Sequence, residues 1–152
     1  MSSGLLYVPL ERGDIPYLLR MTRENMAPII RSAWGVDWND EALLELLLDK
    51  SLITEVLKAG EEILGYYCLD QRGDFLFVVS IQVSKRAQRK GLGRDMMQRI
   101  ESLAVRAGLE GIELCVQITN ERAIGFYEHL GYRTVARVRN NLVMRKLLRG
   151  GN

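Results

Sequence analysis

The sequence predicts a single mixed α/β domain in which helices pack on both faces of a mostly antiparallel sheet. Its 152 residues suffice for one domain with a sizeable core. Three strand-like segments, 53–59, 63–69 and 75–83, follow one another across short turns, which is typical of an antiparallel meander. Segments with helical periodicity precede this meander and alternate with strands after it. The predicted order is therefore β-α-α-β-β-β-α-β-α-β-β over residues 1–147, followed by a short polar tail at 148–152.

The first predicted elements are an edge strand and a helix. Residues 5–10 are mainly apolar and predict the strand. Asp14 is a typical N-cap and Pro16 is tolerated in a first helical turn, so we expect a helix from there to about Glu24. Pro28 then predicts a break or a fresh start, because an interior proline removes a helical hydrogen bond and clashes with the preceding turn.

Two further helices carry clear end signals. The segment EALLELLLDK, residues 41–50, has leucines over most of one side, and either Asn39 or Asp40 precedes it as the N-cap. After the meander, apolar residues recur at helical spacing over 92–107, and Gly108 ends that pattern. Both segments are therefore expected to pack one apolar side against the sheet.

The last third of the chain predicts a strand, a short helix and two final strands. Apolar residues alternate with others over 112–118, as in a strand with one buried face. Thr119 or Asn120 then caps the helical segment ERAIGFYEHL, which a glycine ends. Strands near 132–138 and 142–146 follow, with polar turn residues between them.

Composition and charge are those of an ordinary globular protein and point to no special class of partner. Apolar residues make up 47% and charged residues 26%, and the formal net charge of +2 is too small to predict a nucleic-acid or membrane partner. The N-terminus lacks the charged start and apolar middle of a signal peptide.

Cys68 and Cys115 are expected to be buried thiols in a reducing compartment. A single histidine and no cysteine pair at ligand spacing predict no metal site. We expect a cytoplasmic protein; the sequence leaves a homodimer open.

A glycine segment, Gln88-Arg89-Lys90-Gly91-Leu92-Gly93-Arg94, joins a predicted strand to a predicted helix. The first N–H groups of a helix lack intrahelical partners and the helix dipole is positive there, so such a junction can bind an anion. Gly91 and Gly93 let the backbone approach an oxyanion closely. The segment lacks the Lys-Ser/Thr of a Walker loop and the third glycine of a dinucleotide fingerprint. A solvated basic turn would explain the same residues.

A second group of residues follows one predicted helix and one predicted strand later. Asn120 stands at a helix start, where its amide can cap the helix or bind a ligand. Ala123 and Tyr127 lie four residues apart on one face of that helix, although an ordinary core tyrosine would fit the same pattern. Both groups of residues are expected at the same end of the sheet, where one ligand could span them.

Together the two groups resemble the motifs of the GCN5-related N-acetyltransferase family. Residues 88–93 match its Q/R-x-x-G-x-G/A motif, and residues 120–132 are similar to the motif that follows it, including Tyr127 and the pair Gly131-Tyr132. The predicted element order also resembles that of the family. The resemblance therefore covers nearly the whole chain.

The resemblance implies an acetyltransferase that uses acetyl-coenzyme A. Backbone amides of residues 89–94 would bind the pyrophosphate, and residues 81–83 would pair with the pantetheine arm where this strand and the next one separate. Asn120 would bind the arm from the far side, and Tyr127 would donate a proton to the leaving thiolate. The residues expected to bind the cofactor are Ile81, Gln82, Val83, Gln88, Arg89, Lys90, Gly91, Leu92, Gly93, Arg94, Asn120, Ala123 and Tyr127.

The family chemistry is direct attack of an amine on the thioester, and the sequence leaves the general base unassigned. Several relatives carry a glutamate where this chain has Cys115, and histone-type relatives carry one on the fourth strand, where residues 75–78 read FLFV. Glu113 could act through water or be an ordinary solvent-facing carboxylate, and Cys115 is expected to be a packing thiol. The acceptor is left open: a small-molecule amine, a protein N-terminus or a lysine. A lysine, with a pKa of about 10.4, needs a base more than an α-amine does.

The acceptor site would lie partly in the connection between the first and second strands. Trp34 and Trp38 flank Asp37 there, and together they could form an aromatic-walled pocket for a cationic amine. The same tryptophans could instead anchor the helical connection to the sheet.

Two other functional classes remain. One is a non-catalytic module that binds acetyl-CoA or CoA as a sensor or as a partner surface. The other is a nucleic-acid-binding domain that uses the basic residues 85–94. It predicts a steep salt dependence, and the near-neutral charge and lack of interleaved aromatic residues disfavour it.

Overall fold

The computed structural model describes residues 4–148, which form a seven-stranded sheet with helices packed on it. The strands are β1 (Leu5–Pro9), β2 (Ile53–Ala59), β3 (Glu62–Arg72), β4 (Phe75–Val83), β5 (Gly111–Gln117), β6 (Arg133–Val138) and β7 (Asn141–Leu147). The helices are α1 (Ile15–Trp34), α2 (Glu41–Leu48), α3 (Leu92–Arg106) and α4 (Glu121–His129). The predicted fold class and order of elements are confirmed. Residues 149–152 of the predicted polar tail lie outside the described residues.

The sheet has the order β1-β2-β3-β4-β5-β7-β6 and contains the predicted meander, β2 to β4. All neighbours are antiparallel except β4 and β5, which run parallel. That parallel pairing covers only the first halves of the two strands and ends at Val78 and Leu114. Val79, the next residue, is a bulge, because Cys68 pairs with Ser80 while Leu69 pairs with Val78. A gap therefore opens between the carboxyl ends of β4 and β5.

Helices cover both faces of the sheet, as predicted. Successive side chains of a strand point to opposite faces, and the adjacent Tyr66 and Tyr67 of β3 show this clearly. Tyr66 packs in a core cluster with Leu18 of α1 and with α2 residues. Tyr67 packs in a second cluster with Met96 and other α3 residues. Both tyrosines are fully buried, so β3 lies at the centre of both cores.

Helix α1 runs without interruption through Pro28, so the predicted break is wrong. The proline removes the N–H that would bond to the carbonyl of Glu24, but both residues are exposed, and water can bond to that carbonyl. Buried residues on either side, from Leu18 to Ala33, stabilise the helix through tertiary packing. Although α1 has 20 residues, neither it nor any other helix in residues 4–148 is long and apolar enough to cross a membrane.

Gly111 begins β5 where β7 passes closely, and we expect alanine there to destabilise the fold. A Cβ at this position would lie 2.2 Å from the carbonyl oxygen of Lys146 and 3.1 Å from the Cα of Leu147. These backbone atoms belong to the paired strand and cannot move freely. Gly111→Ala should therefore lower the free energy of unfolding by about 2–3 kcal/mol, as measured by urea unfolding.

Gly125→Ala is the matched control for that substitution. Gly125 is exposed within α4, and no atom lies within 4 Å of a Cβ built there. Alanine should therefore raise the free energy of unfolding by about 0.5–1 kcal/mol, through its higher helix propensity. Equal stabilities for the two variants would contradict the close approach of β5 and β7.

Candidate active site

The gap between β4 and β5 opens into a cleft of about 840 Å³. Its walls come from α1, from the carboxyl ends of β4 and β5, from the loop and first turn of α3, and from α4. The glycine segment and the α4 motif therefore border the same space. Every residue that the sequence predicted to bind a cofactor lines this cleft except Lys90, which is exposed.

The loop before α3 leaves several backbone amides uncapped. Gly91 is the N-cap of α3 and has a φ of 80°, a left-handed conformation that favours glycine. The first helical bond runs from the N–H of Asp95 to the carbonyl of Gly91, and no side chain caps the helix. The N–H groups of residues 92–94 thus have no acceptor in the described part of the chain. Together with the helix dipole they form a site suited to an anion.

Gly93 has a different role from Gly91. Its φ is not in the left-handed region, but a Cβ there would lie 3.3 Å from Cζ of Phe126. The missing side chain therefore lets the first turn of α3 pack against α4. Of the two glycines, Gly91 sets the loop conformation and Gly93 brings the two helices together.

Basic side chains surround the uncapped amides. Arg86 forms an ion pair with Glu62 of β3, so its charge is already compensated. Lys85, Arg89 and Arg94 line the cleft and form no ion pair with a carboxylate of residues 4–148. These three cations remain available to a negatively charged ligand.

An amide cluster connects α1 to the end of β4 and to the glycine loop. The side-chain Nδ2 of Asn25 donates to the carbonyl of Val83 at 2.9 Å and to Oε1 of Gln82 at 3.0 Å. Gln88 donates to the same Val83 carbonyl at 3.0 Å and to Oδ1 of Asn25 at 3.3 Å. A ligand that pairs with the end of β4 must therefore either share the Val83 carbonyl with the side-chain amides of Asn25 and Gln88 or displace them.

Helix α4 presents Asn120 and Tyr127 to the cleft. Oδ1 of Asn120 accepts a bond from the N–H of Ala123 at 3.2 Å, so this residue caps the helix and also lines the cleft. The Tyr127 ring lies edge-on to Phe126 and Tyr132, with centroids 5.1 and 5.8 Å apart. Burial raises the pKa of Tyr127 above its usual value. Its phenol therefore stays protonated at neutral pH and can donate a proton, but cannot serve as a base.

Glu113, the candidate base on β5, is not a free carboxylate in the cleft. Glu113 accepts two bonds from Arg145, the one from Nε at 2.8 Å, and it does not line the cleft. Cys115 does line the cleft and is exposed, so the prediction of a buried thiol is wrong there; Cys68 is buried as predicted. Leu114 is buried towards α3, and its neighbour Cys115 therefore points to the other face of the sheet. Partial desolvation raises the pKa of the Cys115 thiol.

The structure does not bring the residues predicted for the acceptor pocket to the cleft. Trp38 packs against the α1–α2 core cluster, and its ring N–H donates to Asp40 at 2.6 Å. Asp37 forms a surface ion pair with Arg31. Trp34, at the end of α1, is 36% exposed. None of Trp34, Asp37 and Trp38 lines the cleft.

The cleft wall formed by α1 was missing from the predicted site. Thr22, Asn25, Met26 and Ile29 line it, and Ser80 of β4 faces them. Their spacing of three, four and seven residues is that of one helix face. Two polar residues on this otherwise apolar stripe were a usable signal, but a helix that broke at Pro28 would not have carried Ile29 on the same face.

Known proteins share both the sequence pattern and the fold. The profile of the Acetyltransferase (GNAT) family matches residues 23–132. The uncharacterized N-acetyltransferase YvbK of Bacillus subtilis (strain 168) is 28% identical in an alignment of 120 residues, and the match covers 70% of this chain and 77% of YvbK. The PaiA N-acetyltransferase of Thermoplasma acidophilum, solved with coenzyme A, superposes with a TM-score of 0.76 at 16% identity, covering 97% of this chain and 100% of that one.

A second solved structure gives the same result. The ribosomal-protein-S18-alanine N-acetyltransferase of Escherichia coli superposes with a TM-score of 0.72 at 20% identity, covering 97% of each chain. At such identities the superpositions establish the fold, while the profile match establishes the family. Since that profile covers well over half of its length, this chain belongs to the GNAT family of N-acetyltransferases.

Proposed function

We propose that this protein transfers the acetyl group of acetyl-coenzyme A to a primary amine by direct attack. The observation that carries this proposal is the convergence of three features on one cleft: uncapped amides at α3, an open edge of β4, and the Tyr127 hydroxyl. Family membership and the coenzyme A complex of the PaiA protein support it.

The residues of the cleft fit the chemical parts of this co-substrate. The amides of residues 92–94, with Arg89 and Arg94 beside them, suit a pyrophosphate. The gap between β4 and β5 leaves backbone groups of both strands without strand partners, as an amide-bearing arm requires. Asn120 offers its amide nitrogen from the opposite wall. Bound acetyl-CoA would supply an activated acetyl group as a thioester.

Protons must be moved in both directions during the transfer. The attacking amine loses one proton as its nitrogen bonds to the carbonyl carbon, and the sulfur gains one as the carbon–sulfur bond breaks. Tyr127 holds a proton on its phenol oxygen in the cleft, and we assign it as the donor to the departing sulfur. No second protein group is needed for that half of the reaction.

Acetyl-CoA should raise the melting temperature of the protein. Binding to the folded state alone stabilises it by roughly 2.7 kcal/mol at about 100 times Kd. The measurement is a thermal melt with and without acetyl-CoA, followed by an acceptor screen for free thiol release. The screen should include polyamines, amino acids, aminoglycosides, and peptides with free N-termini or lysines.

The outcomes separate the two readings of the cleft. A stabilised protein that releases thiol with an amine is an acetyltransferase. A stabilised protein that releases none with any acceptor would instead be a non-catalytic binding module. No stabilisation at millimolar acetyl-CoA would contradict the co-substrate itself.

A further inference from the structure

Three hydroxyl groups form a continuous hydrogen-bonded chain that ends in the cleft. Oγ of Ser80 lies 2.9 Å from the hydroxyl of Tyr66, which lies 2.6 Å from Oγ1 of Thr22. Thr22 in turn donates to the carbonyl of Leu18 at 2.8 Å. Tyr66 is fully buried and Thr22 is 3% exposed, whereas Ser80 is partly exposed and lines the cleft. The chain therefore leads from the interior of α1 to the cleft surface.

The carbonyl at the buried end fixes the direction of every bond in this chain. A carbonyl can only accept, so the single hydroxyl proton of Thr22 is used on Leu18. Thr22 must then accept from Tyr66, and Tyr66 must accept from Ser80, because each hydroxyl has one proton. In the reverse direction, Oγ1 of Thr22 and the carbonyl oxygen of Leu18 would lie 2.8 Å apart with no proton between them. Ser80 is thus left with lone pairs on its oxygen, ready to accept a hydrogen bond from a ligand.

Ser80 stands where the sheet opens. It follows the bulge at Val79, beyond the last paired residues of β4 and β5. Thr22 and Met26 of α1 line the cleft opposite β4, and Tyr127 lines it from α4. The side chain bonded to Tyr66 lies on the α1 face, while Tyr127 belongs to the core cluster on the α3 face. A ligand arm between β4 and β5 would therefore have Ser80 and Tyr127 on opposite sides.

The titratable groups around this position provide no base at neutral pH. No aspartate, glutamate or histidine is among the described residues that line the cleft. Burial raises the pKa of Tyr66 to about 12, and it also raises the pKa values of Tyr127 and Cys115 above their usual ranges. The charged groups of the lining are all cations: Lys85, Arg89, Arg94 and Arg122. An ammonium group finds neither a counter-ion nor a proton acceptor here.

Building on the acetyltransferase function above, we propose that Ser80 binds the acceptor by accepting one N–H bond from a neutral primary amine of low pKa, such as an α-amine. Tyr66 and Thr22 act as positioning residues that keep the Ser80 lone pairs directed into the cleft. The nitrogen lone pair forms the new bond to the carbonyl carbon, and the carbon–sulfur bond breaks. The nitrogen gives one proton to water, the sulfur takes one from Tyr127, and the Tyr127 phenolate regains a proton from water.

The experiment uses two peptides that differ in the kind of amine. One is an alanine tripeptide amide with a free α-amine, and the other is its N-acetylated counterpart with one lysine. At pH 7 about one α-amine in eight is neutral, but only about one lysine side chain in 2,500. We expect kcat/KM for the first peptide to exceed that for the second by roughly 300-fold, the ratio of the two neutral fractions. Preference for the lysine peptide would overturn the acceptor class.

Ser80→Ala tests the proposed contact itself. It should lower kcat/KM for the α-amine peptide about tenfold, the loss of one hydrogen bond, while the acetyl-CoA-induced rise in melting temperature is unchanged. Ser80→Thr keeps the hydroxyl and should restore most of the activity. Tyr66→Phe should lower kcat/KM about threefold, because Ser80 is then free to rotate. The matched control is Tyr67→Phe, because the hydroxyl of Tyr67 bonds to Glu55 on the other face of the sheet. This variant should keep the parent kcat/KM.

Failure of this proposal can be told apart from failure of the proposed function. If acetyl-CoA stabilises the protein and peptides are acetylated, but Ser80→Ala is as active as the parent, Ser80 does not bind the acceptor. If acetyl-CoA releases no thiol with either peptide, both the transfer to these amines and the role of Ser80 are contradicted. kcat/KM should increase with pH and level off above the amine's own pKa, about 7.7–8.0. If its midpoint lay more than about one pH unit below that pKa, an enzyme base would be present and the inference would be overturned.

Discussion

Replacement of Tyr127 by phenylalanine is expected to lower kcat on the order of 100-fold and to change the KM for acetyl-CoA little. The ring keeps its edge-on contacts with Phe126 and Tyr132, so ground-state binding is preserved. Only the proton donor is lost, and its benefit is confined to the transition state, where negative charge gathers on sulfur. General-acid catalysis contributes about 10²–10⁴-fold, and the low end applies because water can enter an open cleft. Steady-state kinetics with an acceptor from the screen provides the measurement.

Tyr132→Phe is the matched control for this substitution. Its ring packs against Tyr127, but its hydroxyl donates to Glu101 at 2.9 Å and the residue does not line the cleft. This variant should therefore retain the parent kcat. If Tyr127→Phe also retained it, with chemistry shown to limit the rate, Tyr127 would be a packing residue.

Gly91→Val should abolish the stabilisation by acetyl-CoA and leave a folded protein. The left-handed φ of 80° disfavours a β-branched residue, and the new side chain would stand beside the uncapped amides. The stabilisation of roughly 2.7 kcal/mol that is expected at about 100 times Kd should fall to near zero, and with it the rise in melting temperature. Gly93→Val is a poorer test, because its side chain would also disturb the packing against Phe126.

Gly73→Val carries the same backbone strain without touching the cleft. Gly73 lies in the turn between β3 and β4 with a φ of 59°, and no atom lies within 4 Å of a Cβ built there. This control should lose intrinsic stability like Gly91→Val, yet keep its full response to acetyl-CoA. A normal response from both variants would place the pyrophosphate elsewhere.

The elements were predictable because each depends mainly on local signals. The alternation in β5, the apolar stripe of α3 and the turns of the meander are properties of short segments. Pro28 shows the limit of such signals, since α1 continues through it only because packing on both sides outweighs the local cost. A local pattern cannot report that balance.

The candidate site was predictable in part for the same reason. The glycine segment and the α4 motif are local, and both border the cleft. The α1 wall and the chain from Ser80 to Thr22 are contacts between residues far apart in sequence, and only the tertiary fold brings them together. Trp34 and Trp38 were singled out for their chemistry, but the turn of α1 and the core around α2 place them away from the cleft.

The short parallel junction between β4 and β5 also bears on the motions of the sheet. In the described sheet, only four strand pairings, 75–78 with 111–114, link strands β1 to β4 with strands β5 to β7, while α1 and α3 pack across both groups. In the free protein we expect the unpaired carboxyl ends of β4 and β5 to move more than the paired parts of the sheet. An arm that bonds to both open edges would act as an additional strand and would restrain that motion. Backbone amides of these strand ends would then exchange more slowly with solvent, because the motion that exposes them would be suppressed.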